Sequence, residues 1–358
     1  MRILLAAKHP HFPQGGGGLE RNTHELCRDL VKRGLSPAVI CDLRAEQSLL
    51  VWRNRLSRQL NPSIRFPVDR RLGYPVFRGW NDEDGAAEVA ARFRPDAIVA
   101  QSAEPVPLLK SYEGVDIPKL AYFHETLRVY DAGTLASTGN IGLIANSRFT
   151  AEGMAAHAGF VPAIVRPLVD RALYEVTTRP RNVLFINTVP RKGLEIAFRL
   201  AESRPDVPFD FIKSWILKPH EIDRMEQRAR AAGNITLHPP TNDMRPHYAR
   251  ARLVLAPSQW EEAWGRIATE AHINGIPVLA SDQGGLREAV GPGGLLVPLG
   301  APLQEWRTAF SHLWDDPGTH ARVSQTALAY SRRPEIQPEN IIDTFVEAVR
   351  SHVRRMPR

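Results

Sequence analysis

The chain has 358 residues, 43% hydrophobic and 24% charged, a globular composition that excludes wholesale disorder and a length beyond what one hydrophobic core usually serves. Its two cysteines, Cys27 and Cys41, exclude a disulfide framework and suit small buried hydrophobes in a reducing cytoplasm. Forty-six Lys+Arg against 39 Asp+Glu give a net charge of +7, but no nucleic-acid-binding module accompanies the charge, so nucleic acid is not an expected partner.

The apolar run in "MRILLAAKHPHF" is too short for a signal segment or a membrane span and reads as a first buried strand. A helix, "LERNTHELCRDLVKRG", closes at Gly34, and "SPAVICDL" is the next strand. Between Arg44 and Arg78 stand eight arginines and two acidic residues, Glu46 and Asp69. That region is either a solvated face or a meeting place for phosphates, anionic lipid or an acidic acceptor. Inside it Leu49, Trp52, Leu56 and Leu60 fall at helical spacing beside Arg53, Arg55 and Arg58. Such a stripe packs on a core or lies in a membrane interface, there giving access to a lipid-linked acceptor.

"AAEVAARFRPDAIVAQ" is a helix, a stop at Pro95 and a strand. "PKLAYFHE" and "NIGLIANS" are strands, "RFTAEGMAAHAGF" a helix ending at Gly159, and "PAIVRPLVD" a strand. The polar "RALYEVTTRPR" reads as a linker. The alternation then restarts with "NVLFIN", "KGLEIAFRLAESRP", "FDFIKSW", "KPHEIDRMEQRARAAG", "NITLHPP", "TNDMRPHYARA", "RLVLAPS", "QWEEAWGRIATEAHINGIPVLAS" and "LREAVGPGGLLVP". A last helix runs over roughly Pro338 to Arg355. The expected architecture is α/β, two doubly wound Rossmann-like domains facing across a cleft. Its boundaries are 1–172 and 173–336, with a C-terminal helix, 337–358, returning to the first domain.

Ligands of such sheets bind outside the carboxyl ends of the strands. The first such loop, "HPHFPQGGGGLERN", lets a ligand approach backbone amides around Gly16 and Gly17 and aims a helix N-terminus at an anion; a merely flexible loop is the other reading. Its spacing is neither a dinucleotide fingerprint nor a Walker A loop. Asp42, after the second strand, stands where a dehydrogenase would hold ribose, but the glycine pattern does not support that enzyme. His124 ends a strand at the same edge, although a lone histidine is commonly structural. "WNDEDG" precedes a helix, so Asn81, Asp82 or Asp84 fits a cap better than a metal ligand, and no metal site is expected. Arg191 and Lys192 occupy a strand-to-helix turn, a basic loop or a seat for a diphosphate. In "QWEEAWGRIATEAHINGIP" Glu262 lies just before a helix that begins near Gly265. Glu270 lies inside it on a segment expected to be buried, and so requires a hydrogen-bond donor from ligand or protein. Gly284 and Gly285 precede another helix start and offer amides to an anion.

The set Pro257, Ser258, Glu262, Trp264, Gly265, Glu270, Ala271, Gly275, Pro277 and Val278, followed by "SDQGGLREAV", resembles the retaining glycosyltransferases of family 4, which have the GT-B fold. Weaker likeness runs through "GGGG", "RPDAIVAQ", "HET", "ANSRFT" and "VRPLVD". The resemblance implies that Glu270 holds the ribose of a nucleoside-diphosphate sugar, UDP- or GDP-linked, and that Glu262 contacts the sugar. Amides over Trp264, Gly265, Arg266 and Ile267 would lie near sugar and diphosphate, with Lys192 neutralising the diphosphate. His124 would approach the sugar, and Gly16–Gly17 would border acceptor and phosphates. The family's usual Gly-Arg pair is replaced by Ile186-Asn187, so either Arg191 assists the leaving group from the adjacent turn or the activity is weak or altered. No cofactor or metal is implied. The expected activity is a metal-independent hexosyltransferase, cytoplasmic and peripheral to a membrane. A nucleotide-sugar epimerase, a phosphorylase and a non-catalytic binding protein on the same fold stay open.

Overall fold

The computed structural model describes residues 1–44, 49–80, 85–126, 140–158, 161–214 and 217–356. They form two compact units, Met1–Leu168 with Gln337–Arg358, and Val169–Ile336. Among the described residues no helix is long and apolar enough to cross a membrane.

The first unit is built on β1 (Arg2–Pro10), β2 (Ser36–Asp42), β3 (Val68–Asp69), β4 (Val76–Gly79), β5 (Ala97–Ala100), β6 (Lys119–Phe123), β7 (Gly142–Ala145) and β8 (Ala163–Ile164). Their order is β3-β4-β2-β1-β5-β6-β7-β8, parallel except for the antiparallel β3. Helices α1 (Gly18–Lys32), α2 (Leu49–Leu60), α3 (Ala86–Phe93), α4 (Pro105–Lys110) and α5 (Arg148–Ala158) connect them. Alternation along β1 sends Leu4 and Ala6 into one core and Ile3 and Leu5 into the other, the period-two pattern of a sheet covered on both faces. Cys27 and Cys41 are both buried, with no disulfide between them.

The second unit has β9 (Asn182–Ile186), β10 (Phe209–Ile212), β11 (Ile235–His238), β12 (Ala251–Ala256), β13 (Val278–Asp282) and β14 (Gly294–Pro298). Their order is β11-β10-β9-β12-β13-β14. Its helices are α6 (Leu194–Ser203), α7 (Pro219–Ala232), α8 (Arg245–Tyr248), α9 (Arg266–Ile273), α10 (Leu286–Val290), α11 (Leu303–Trp314) and α12 (Pro317–Tyr330). In each sheet the strand order reverses at the first strand of the unit, so the loops after β1 and β9 leave the two switch points where such folds bind ligands.

Some elements differ from the sequence reading. Helices α11 and α12 fill a stretch to which no element was assigned. The strand expected over "PAIVRPLVD" shrinks to Ala163–Ile164. The segment read as a linker is anchored to the second unit: Arg171 donates to Ser331 Oγ (2.8 Å) and to the Ile273 carbonyl (3.2 Å), and the Val176 amide donates to Asn274 Oδ1. Helix α3 has Gly85 as its N-cap without a side-chain cap; Asn81, Asp82 and Asp84 lie outside the described residues.

The final helix, α13 (Pro338–Arg355), belongs to the first unit. Ile341, Ile342, Phe345, Val346 and Val349 lie on one stripe and complete the core that holds Ile3, Leu5 and Val39. Arg33, in the turn after α1, pairs with Asp343 and donates to the Glu339 carbonyl (2.9 Å). Phe345 is fully buried, so Phe345→Ala is expected to destabilise the first unit by about 3–5 kcal/mol. Urea unfolding followed by circular dichroism would show an unchanged midpoint if α13 contributed no core.

Candidate functional site

The site of the second unit grows from the loops after β9 and β12. Asn187 leaves β9 with φ 72°, a left-handed conformation that asparagine tolerates better than most side chains. Its amide bonds the Ile212 carbonyl (3.0 Å), while its buried Oδ1 has no hydrogen-bond partner within the protein. A short 3-10 turn, Pro190–Lys192, follows, then Gly193 at φ 81°. A Cβ on Gly193 would stand 2.0 Å from the Pro257 carbonyl oxygen, so only glycine lets this turn close against the loop after β12. That closure is hydrogen-bonded: the Arg191 carbonyl accepts from the amides of Gln259 (2.8 Å) and Trp260 (3.0 Å).

This clamp sets Lys192 against Glu262. Lys192 Nζ is ion-paired with Glu262 Oε1, which also accepts from Ser258 Oγ at 2.9 Å. Both side chains keep partial exposure, 25% and 17%, so the pair faces an opening rather than the core. Arg191 points elsewhere, its guanidinium 5.9 Å from the centre of the half-exposed Trp260 ring.

Helix α9 starts at Gly265, with φ 101° and no side-chain cap. The Ala268 amide donates to the Gly265 carbonyl (3.0 Å), so the amides of Arg266 and Ile267 are the ones left to carry the positive end of the helix dipole. The Trp264 ring itself is core: it is buried and its Nε1 donates to Thr269 Oγ1 (3.2 Å). Arg266 also turns inward, donating to Tyr174 Oη (2.9 Å) and lying 3.4 Å from Glu270 Oε1. Ile267 packs against the adjoining core.

Glu270 is buried, and the protein itself meets its need for a donor. Tyr248 Oη donates to Glu270 Oε2 at 2.7 Å. Burial, then the charge of Glu270, raises the Tyr248 pKa well above the ordinary phenol value, which keeps its proton available for that bond. Of the two donors the sequence left open, ligand or protein, the protein supplies one, so burial alone does not require a ligand at Glu270. Tyr248 and Tyr174 carry no motif signal and emerge only from packing, whereas Ser258 lies in the motif but its contact with Glu262 does not show there.

Gly284 and Gly285 serve differently from the expected anion nest. A Cβ on Gly284 would lie 2.4 Å from the Glu262 carbonyl, and one on Gly285 2.1 Å from that of Ala263. The Gly285 amide already donates to the Glu262 carbonyl (2.7 Å), and α10 is only five residues long. The pair lets two loops touch and fixes the backbone that carries Glu262. Gln283, unmarked in the sequence, donates to the Ser258 carbonyl and to that of Trp260 (3.0 Å).

In the first unit the glycine loop folds onto its own helix. A Cβ on Gly17 would meet Glu20 Oε2 at 2.6 Å, and one on Gly15 the Pro10 carbonyl at 2.2 Å. Gly16 is half-buried and Gly17 exposed. The carboxylate of Glu20 thus already faces the start of α1. Buried Arg78 braces the approach to this loop by donating to the carbonyls of His11 (3.2 Å) and Phe12. His11 Nε2 and His24 Nδ1 both meet the Tyr74 hydroxyl, at 2.8 and 2.7 Å, and burial lowers the His24 pKa to about 4. His124 follows β6, its ring 4.0 Å from that of Tyr122, and its carbonyl accepts from Asn146 Nδ2 (3.4 Å).

Residues 182–316 match the family described as glycosyl transferases group 1. The D-inositol 3-phosphate glycosyltransferase of Arthrobacter sp. is 29% identical over 233 residues, 58% of this chain and 53% of that one. Its namesake from Streptomyces bingchenggensis is 31% identical over 146 residues, 39% of this chain and 32% of that one. The chain thus spans about half the length of these relatives or less. The sucrose-phosphate synthase of Thermosynechococcus elongatus superposes with a TM-score of 0.80 at 15% identity, covering 99% of this chain and 100% of that one. Anabaena HepE in complex with UDP-glucose superposes at 0.75 and 18% identity, covering 98% and 99%. The two structures show the fold to be GT-B. The matched domain over 182–316 and the glycosyltransferase relatives support a glycosyltransferase of the family 4 type.

Proposed function

We propose that the protein is a retaining, metal-independent hexosyltransferase that takes a sugar from a UDP- or GDP-linked donor and delivers it to an acceptor hydroxyl. The observation carrying this reading is the grouping, on one edge of the second unit, of the Lys192–Glu262 pair with the uncapped start of α9 and the carboxylate of Glu270. The HepE structures with UDP and UDP-glucose support a uridine nucleotide.

Glu270 grips the ribose. Its oxygens have lone pairs beyond those facing Tyr248 and Arg266, enough for two hydroxyls. Glu262 receives the sugar hydroxyls on Oε2, because Oε1 is held by Lys192 and Ser258. When the bond between the anomeric carbon and the diphosphate breaks, negative charge develops on the leaving oxygen. Lys192 and the first-turn amides of α9 stabilise that charge in place, the service a divalent cation gives in other transferases. The departing phosphate takes the acceptor's proton, so the new bond forms on the face just vacated and no separate base is required. Asn187 Oδ1 offers an acceptor to a donor hydroxyl. His124 and the Gly16–Gly17 loop serve sugar and acceptor from the first unit.

The acceptor is lipid-linked or otherwise anionic and is met at a membrane surface. On α2, Leu49, Trp52 and Leu60 are 66%, 61% and 79% exposed, and Leu56 is 37% exposed. Leu50 and Val51 supply the buried side. The stripe that could have been core therefore points to solvent beside Arg53, Arg55 and Arg58, an apolar face with a basic rim suited to an anionic bilayer. The protein works in the cytoplasm against that surface.

UDP at about a hundredfold excess over its Kd should stabilise the protein by about 2.7 kcal/mol, and Glu270→Ala should remove the shift in melting temperature. A wild type unmoved by every nucleoside diphosphate would end the reading. Lys192→Ala should lower kcat about 10²–10³-fold in donor hydrolysis or transfer, with a smaller change in KM; an unchanged kcat would remove Lys192 from the leaving-group site. Vesicles rich in anionic lipid should sediment the wild type at low salt and release Trp52→Ser/Leu60→Ser. Equal binding to neutral vesicles, or none to either, would reject the membrane contact.

A further inference from the structure

A polar cluster in the second unit has no part in the proposed reaction. Asp210 sits in the middle of β10, between Phe209 and Phe211, which face the opposite core, and is only 3% exposed. His238 ends the neighbouring β11, and His247 comes from α8. One ligand-capable atom from each of the three lies within 4.8 Å of the other two.

We propose that Asp210, His238 and His247 form a binding site for one borderline-soft divalent cation of the zinc, cobalt(II) or nickel(II) kind. The donor set, two imidazole nitrogens and one carboxylate oxygen, selects such ions over magnesium or calcium, which prefer all-oxygen shells. Three protein ligands leave a fourth tetrahedral position for water.

The orientation of the groups favours this use. Asp210 Oδ2 accepts from Asn182 Nδ2 (2.7 Å) and from Arg250 (2.9 Å), which turns Oδ1 toward the imidazoles. Donors that fix the outer oxygen of a carboxylate are the usual support of a metal ligand. His238 Nε2 lies 2.8 Å from Oδ1. A cation takes the Nε2 lone pair and the place of the shared hydrogen bond, the single proton of the neutral His238 imidazole then lying on Nδ1. The two imidazoles pack edge to face with centroids 4.8 Å apart, and His247 Nδ1 is buried without a hydrogen-bond partner in the protein. Tetrahedral zinc with bonds of about 2.1 Å needs ligand atoms about 3.4 Å apart, so the longest separation closes by little more than an ångström.

Arg250 opposes a second positive charge nearby. Its side chain is 47% exposed, so water screens it, and it sits on the oxygen the cation does not use. The site would staple β10, β11 and α8 together. The residue after His247 is Tyr248, the donor to Glu270, so the staple would also brace the helix behind the ribose grip.

The test uses tag-free full-length protein stripped with EDTA and titrated with cobalt(II), then zinc. The expected result is one cobalt per chain with visible d–d absorption, displaced by zinc, and a loss of affinity of about tenfold or more in His247→Phe and His238→Asn. His312→Ala, a histidine of α11, should bind like the wild type. No saturable binding up to about 1 mM, or wild-type affinity in both cluster variants, would overturn the site. Cobalt-edge X-ray absorption on the wild type decides without variants: two imidazoles in the first shell support the assignment, and none refutes it.

Discussion

The Lys192–Glu262 pair of the second unit depends on one close contact, the backbone of Arg191–Gly193 against that of Pro257–Trp260. The Gly193 position lies where any side chain would strike the Pro257 carbonyl, and the Arg191 carbonyl accepts two amides from the facing loop. Neighbouring parallel strands β9 and β12 would place their loops side by side in any case. The contact goes further and fuses them, and only then do Lys192 and Glu262, 70 positions apart, meet at ion-pair distance. Gly284 and Gly285 repeat the device one strand further on, seating the β13 loop against the carbonyls of Glu262 and Ala263. Three loops packed backbone to backbone give a rigid base, which positions a charged pair better than flexible side chains alone.

The pair also explains how a carboxylate and an ammonium can both stand at a half-open site without ligand. Each neutralises the other, and Ser258 takes a further lone pair. Glu270 follows the same logic deeper in the unit, with Tyr248 and Arg266 as partners. A site preloaded with internal partners folds without ligand and exchanges some of those contacts when a ligand arrives. The cost of burying these charges is thereby met during folding rather than during binding.

The sheets were legible in the sequence because parallel strands buried on both faces read as apolar runs, and glycines and prolines punctuate them. Both switch-point loops followed from that reading. Helices α11 and α12 were not assigned, since "LQEWRTAFSHLW" and "PGTHARVSQTALAY" mix apolar and charged residues with no strand between them to mark a boundary. In the site, Glu262, Lys192 and Glu270 lie in motifs with recognisable spacing. The contacts of their supports were not legible: Ser258 and Gln283 lie in the same motifs but act through three-dimensional contact, and nothing local to "RPHYARA" announces that its tyrosine will meet a glutamate 22 positions on. The glycine pair at 284–285 was visible but its packing role was not, because glycine permits both an exposed nest and a tight backbone contact.

Asn187 brings these strands of argument together. The resemblance sets an arginine at this position, whereas the chain turns there through a left-handed residue and keeps its side chain half-buried, with Oδ1 unpartnered in the protein. Asparagine relieves the backbone strain that a longer side chain would feel at φ 72°, and its amide is neutral. The positive charge available to a leaving diphosphate in this unit is then concentrated in Lys192 and the α9 amides, because Arg191 is turned onto Trp260. With fewer cations at the leaving group, the balance between Lys192 and Glu262 has more influence on the chemical step: a ligand that draws Glu262 toward its hydroxyls frees the ammonium for the phosphate. In the proposed reaction, sugar recognition and leaving-group stabilisation thereby become one event at one ion pair.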